Sequence, residues 1–354
     1  MDETIRARYG RKSPFLEWCE AEGLRVIDGY GVEDLRAAAL IHWDRLGGPA
    51  AYCHLEGSQG FVGAMVAEIP PGQNLRAIRH MYEEQVLILE GRGATQFWSE
   101  GSREPLTLEW QAGSLFSPPL NCKHQHFNGS SQEPVRFVAV NNAPLIINIF
   151  NSRDFVFNVA YEFKDRFEGQ KEFFSSELKP GKLEDRVVNF IPNVDAVPLD
   201  YHPERGVGFS RLGIHLSGNS MVGHIMAIES GTYKKAHQHG PGAQVIVLSG
   251  KGYSLMWPPG GDFVRFDWRK GSLFVPPEGW FHHHFVTSRE GARHLALRRG
   301  LRKVGHPWLP TISQYEGGHM LEHENEPPEI RAMYEAELKK EGIPFRMPTI
   351  QRRP

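Results

Sequence analysis

Histidines dominate the chemistry this chain can do. Gly231 is followed by five residues, then His237, Gln238 and His239; Gln244 comes after four more residues and Gly250 after a further five. Farther on, Gly271 is followed by five residues, then Pro277, Glu278, Gly279, two residues and His282, with His283 and His284 directly behind. Two histidines one residue apart share a face of a strand, because strand side chains alternate. Gln244 lies past a Gly-Pro-Gly turn on the next strand and His282 arrives from a neighbouring one, so four side chains can meet at one ion. Three neutral imidazoles and an amide oxygen suit Fe, Mn, Ni, Zn or Cu. With no anionic ligand such an ion keeps its full charge and is a strong Lewis acid towards a bound oxygen. His284 shares a face with His282 and is placed to support the site or move a proton, whereas His283 faces the other way.

The same frame occurs earlier in the chain. QVLILEGRG at 85–93 aligns with QVIVLSGKG at 244–252, Trp98 with Trp257, Trp110 with Trp268, and GSLF at 113–116 with GSLF at 271–274. Two copies of one unit are the economical explanation. In the first copy Ile78 stands where His237 stands in the second, while His80 and Gln85 fall on His239 and Gln244. Glu84 offers a carboxylate one residue before Gln85, and since adjacent strand residues point to opposite faces, only one of the two can readily be a ligand. Gly113, Pro119, Asn121 and His124 repeat the second motif, with His126 two residues on. A first-copy site would use His80, Glu84 or Gln85, and His124, with His126 compensating for Ile78. The second copy is the preferred centre; the plain alternative for the first is a unit kept for packing.

The elements that must position these residues are short. Glycine (37) and proline (25) are scattered through 354 residues, which leaves little room for long helices. Alternating runs such as QVLIL, ATQFW, LTLEW and RFVAV, broken by Gly, Pro and Asn, read as an all-β sandwich or barrel in each copy. PFLEWCEAEG at 14–23 reads as a short helix. Residues 327–342 read as a secure one, with Pro at the start, Ile330, Met333, Tyr334 and Leu338 on one face, and Gly342 after terminal lysines. The resulting expectation is a helical or irregular extension at 1–45, a barrel at 46–150, a connector at 151–215, a second barrel at 216–302 and an extension at 303–354.

A net charge of −2 and a pI near 6.8 speak against nucleic acid as partner. Cys19, Cys53 and Cys122 form no disulfide framework, which fits a reducing compartment. The charged start MDETIRARYGRK is no secretory signal, and no run approaches a membrane span. A cytoplasmic protein that binds neither membrane nor nucleic acid is therefore expected, and a homo-oligomer, by default a dimer, because barrel edges need covering. Arg298 is the best-placed of Arg76, Arg79, Arg298 and Arg299 to anchor a substrate carboxylate. Trp98, Trp110, Trp257 and Trp268 read as core, and Tyr82 and Tyr253 as half-buried tyrosines.

The two spacings resemble the paired motifs of the cupin superfamily, GX5HXHX3-4(E or Q)X5-6G and GX5PXGX2H. The resemblance covers both copies and implies two jelly-roll barrels with short flanking helices, as in oxalate decarboxylases, gentisate-type ring-cleaving dioxygenases, quercetin dioxygenases and ureidoglycine aminohydrolases. The His237, His239, Gln244 and His282 set is similar to that of several sugar-acid-processing cupins and of the aminohydrolases. The gentisate-type enzymes are nearest in length but generally use three histidines without glutamine. The leading expectation is an Fe(II) dioxygenase acting on a small aromatic, hydroxy or keto acid that chelates the ion through oxygens, with His284 and Arg298 as its working side chains. The alternatives are a Mn, Ni or Zn isomerase, decarboxylase or hydrolase of a small carboxylated metabolite, and a non-enzymatic storage or ligand-sensing protein.

Overall fold

The repeat in sequence is a repeat of topology. In this computed structural model, which describes residues 12–100, 102–181, 185–300 and 309–349, each copy folds into a large sheet facing a three-stranded one. In the first barrel Gly63–Ile69, Val135–Asn141, Glu84–Glu90 and Leu115–Phe116 lie side by side in that order; in the second, Met221–Ile228, Ala292–Arg299, Gln244–Ser249 and Leu273–Phe274 do the same. Opposite them, Arg92–Trp98 is the middle strand between Lys123–Asn128 and Leu106–Gln111, and Lys251–Trp257 the middle strand between Phe281–Val286 and Val264–Arg269. The two paired sheets of each copy form a jelly-roll barrel, the all-β architecture expected.

Each barrel lends the other a strand. Gly31–Val32, near the N-terminus, pairs with Leu273–Phe274 of the second barrel, and Phe190–Ile191, between the copies, pairs with Leu115–Phe116 of the first. These pairings cover two open sheet edges within the chain. The large sheets pack back to back: Val66, Leu87, Val138 and Val140 from one meet Ile225, Ile246, Leu295 and Leu297 from the other in one buried cluster. Each central strand is consequently buried on both faces, one towards its own barrel interior and one towards the neighbouring barrel.

The helices sit where their caps put them. Pro14–Ala21 starts at Ser13, whose Oγ accepts from Leu16 N at 3.3 Å, and it buries Phe15 and Trp18. Pro328–Glu341 ends where Gly342 takes a positive φ, and Ile330, Tyr334 and Leu338 pack against Tyr233, Tyr253 and Phe285. Met333 is partly buried beside them. A further helix, Ala143–Phe150, follows the last strand of the first barrel. No helix among the described residues is long and apolar enough to cross a membrane. Cys19, Cys53 and Cys122 are buried free thiols. Residues 1–11, 303–308 and 350–354 of the expected end segments lie outside the described residues.

Candidate metal centres

In the second barrel the approach to the strand Gln244–Ser249 is held against the strand Phe281–Val286. His282 N donates to His237 O at 3.1 Å, and Gly279 N to His239 O at 3.0 Å. This register brings the side chains of His237, His239 and His282 together, with one ring nitrogen of each within 4.8 Å of the others. Their outer nitrogens are turned to the backbone: His239 Nδ1 lies 2.7 Å from Gly240 O, and His282 Nδ1 lies 3.3 Å from Trp280 O. A carbonyl can only accept, so each Nδ1 carries the proton and each Nε2 keeps its lone pair. His237 Nδ1 has no partner. Burial, reinforced by nearby cations, holds His237 and His282 well below the ordinary histidine range and His239 down to about 4. Neutral imidazoles with convergent lone pairs are what a divalent transition metal requires, and this donor set fits one.

Gln244 does not join them, which corrects the expected fourth ligand. Along its strand Ala243 and Val245 face the cavity beside the histidines, whereas Ile246 and Leu248 belong to the cluster between the barrels. Gln244 shares the latter parity. Its Nε2 donates across the interface to Ser58 Oγ at 3.0 Å and Val62 O at 3.2 Å. Gln85 repeats the arrangement from the first barrel, donating to Met221 O at 3.3 Å, so it too is an interface residue and not a ligand.

The inward position in the first barrel is Glu84. Its Oε1 lies 3.1 Å from His80 Nε2 and 3.3 Å from His124 Nε2, while His80 Nδ1 faces Tyr82 O at 2.8 Å and His124 Nδ1 faces Cys122 O at 2.9 Å. With protons on both Nδ1 atoms, two imidazole lone pairs point at a carboxylate, an arrangement that calls for a cation in their midst. Two histidines and a carboxylate fit a divalent metal, and they are the donor set of many non-haem iron sites. His126, the expected substitute for Ile78, lies elsewhere: its Nδ1 is 2.7 Å from Thr95 Oγ1. Each barrel thus lacks a different member of one four-ligand frame, Ile78 replacing a histidine in the first and Ala243 the carboxylate in the second. In the first barrel Phe174, from the connector, packs 4.6 Å from Phe97 between ring centres.

The second barrel is open. A cavity of about 430 Å³ contains His237, His239 and His282 in its wall, together with His284 and Arg298. His284 is tied by a relay: Trp268 Nε1 donates to Ser254 Oγ at 3.1 Å, and Ser254 Oγ lies 2.9 Å from His284 Nδ1. The first barrel repeats it with Trp110, Thr95 and His126. Indole nitrogen only donates, so the hydroxyl accepts there, passes its own hydrogen to Nδ1, and leaves the His284 proton on Nε2. His283 faces away, with Nδ1 3.1 Å from Lys234 O and Nε2 3.5 Å from Glu326. Arg76 and Arg79 lie outside this cavity, and exposed Arg299 rests on Phe61. Tyr82 stacks on His80 at 3.7 Å between ring centres, and Tyr253 is buried beneath the C-terminal helix.

Sequence reasoning missed Arg205, Arg211, His224 and Lys234, which also line this cavity. Arg211 and His224 sit on the inward parity of their strands and were legible in principle. Arg205 and Lys234 come from irregular segments joined by Lys235 N donating to Arg205 O at 2.8 Å, and no periodicity announces them.

No protein-family model matches the sequence, and no curated protein matches it. Among solved structures, a mutant of Bacillus subtilis oxalate decarboxylase is similar at 13% identity, with 78% of this chain and 79% of that one covered and a TM-score of 0.50. Vicilin from hazelnut, Corylus avellana, is similar at 12% identity, covering 77% and 86%, with a TM-score of 0.50. An enzyme and a storage protein at such low identity have the architecture in common with this chain.

Proposed function

Since the chain has the two-barrel cupin fold, we propose that it is a metal-dependent enzyme working in its second barrel, an Fe(II) dioxygenase of a small organic acid that chelates the ion through oxygens. The observation that carries this reading is the trio of neutral imidazoles, His237, His239 and His282, opening on a cavity walled by buried cations. With Gln244 committed to the barrel interface, the set is three histidines alone, the pattern of the gentisate-type enzymes that the sequence resembles. Three protein ligands leave coordination positions for both a chelating substrate and dioxygen. When bound, the ion supplies Lewis acidity and, as iron, access to dioxygen. The protein's own part is to bind and orient. Arg298, 7% exposed, offers a guanidinium to a carboxylate. His284, held by Ser254 and Trp268, presents an Nε2–H donor to the cavity and keeps its ring fixed while doing so.

Non-redox decarboxylation or isomerisation of such an acid would use the same wall, and oxalate decarboxylase has the same architecture. Anaerobic purification with metal analysis, followed by oxygen uptake with gentisate, catechols, diketones and hydroxy acids, separates the readings. Iron in the protein with substrate-dependent oxygen uptake is expected. Iron-loaded protein that consumes no oxygen with any of these compounds sinks the dioxygenase, and a His239→Ala variant that keeps its second-barrel metal sinks the centre itself.

A further inference from the structure

Lys234 and Arg205 are 3% and 8% exposed, yet among the described residues neither has a carboxylate within ion-pair distance or a side-chain hydrogen bond. Both lie over the same ring, Phe209, at 5.5 and 5.6 Å. The acids of the cavity are engaged elsewhere: Asp185 lies 3.0 Å from His215 and 3.6 Å from Arg211, and Glu204 lies 3.0 Å from His202. An unpaired buried cation is expensive, and burial together with the charges of Arg205 and Arg211 pushes the Lys234 ammonium well below its ordinary range, so that an anionic partner is what would restore its charge. A protein that keeps such a pair at the wall of a cavity has left the counter-charge to a ligand. The pair shares that cavity with the histidine centre, whose ion would itself attract an anionic oxygen.

We infer that the ligand of the second barrel is a small organic dianion, one anionic group directed to the histidine centre and a second held by Lys234 and Arg205. The inference rests on the proposed metal reading for the first group and on Lys234 and Arg205 alone for the second. Catechols and simple monocarboxylates satisfy only the metal end. Carboxylate and phosphate share the required chemistry at the far end, and the choice between them falls to the ligands compared below.

The test is calorimetric binding to manganese-loaded protein under nitrogen, comparing ligands that differ by one anionic group: succinate against butyrate, and phosphoglycolate against glycolate. The dianion of a pair should bind at least tenfold tighter, and Lys234→Met should collapse that gap while its metal content stays that of the wild type. The larger of the two gaps identifies the second group as carboxylate or phosphate. In metal-free protein, succinate should raise the melting temperature of the wild type but not of Lys234→Met. A gap absent from the wild type, or unchanged in both Lys234→Met and Arg205→Met, overturns the inference. Failure of the metal reading looks different: manganese does not load, and the succinate effect on metal-free protein persists.

Discussion

Replacing Gln244 by methionine separates an interface residue from a metal ligand. Gln244 is fully buried, and its Nε2 makes two hydrogen bonds to the first barrel, to Ser58 Oγ and Val62 O. Methionine has similar volume, so the cavity term is small and the loss is that of the bonds, about 1 kcal/mol each. Gln244 Oε1 has no partner, and removing a desolvated acceptor returns part of this. A net loss of about 1–2 kcal/mol is expected. For a chain of this length unfolding as a unit, that lowers the melting temperature by roughly 1–3 °C. Metal stoichiometry and affinity should be unchanged, because the side chain points away from His237, His239 and His282. The assay is thermal unfolding of metal-free protein beside metal analysis and competitive titration with a chelator, and Gln85→Met serves as the symmetric control. A tenfold or greater fall in metal affinity, with metal-free stability intact, would refute the parity argument and restore Gln244 to the coordination sphere.

Two further changes probe the barrels. Glu84→Gln removes the only carboxylate of the first centre, so metal content should fall by the first-barrel share while second-barrel binding stays; unchanged total content would show that the first barrel binds no metal through Glu84. His294 occupies the place that Phe137 holds in the first barrel, both of its ring nitrogens are without partners, and burial followed by the charge of Lys234 pushes it down to about 3. A base depressed in the folded state takes up its proton on unfolding, so its stabilising effect is complete above about pH 6.5 and is lost as pH falls towards 3. His294→Phe should therefore gain on the wild type by up to about 1.4 kcal/mol per pH unit below 6.5 in denaturant unfolding of metal-free protein. Parallel pH dependences for the two proteins would contradict that assignment.

Much of the architecture was legible because it is local. The glycines and prolines that end strands, the Ser13 cap, the apolar stripe of Pro328–Glu341 and the repeated GSLF segments each act through near neighbours. His237 and His239 were legible for the same reason, since a one-residue spacing fixes a common face, whereas His282 reaches them from another strand. Strand alternation makes Glu84 and Gln85 a choice of face; in the second copy Ala243 holds the inward position, which leaves Gln244 as the polar residue of the pair although it faces the other barrel. Residues between Gln85 and Leu89, like those between Gln244 and Leu248, form apolar runs with no polar alternation to mark an outer side.

The amino-acid order by itself determined that two similar β-units each bring histidines onto recurring positions of one frame, because strand periodicity and turn residues operate over a few positions. Only the tertiary structure decided which parity looks inward. The central strands are packed on both sides, against the barrel interior and against the other barrel, so burial alone does not distinguish a ligand from an interface residue. The same holds for the cavity wall. Arg205 and Lys234 meet through the folding of irregular segments whose contacts are set by distance in space rather than along the chain.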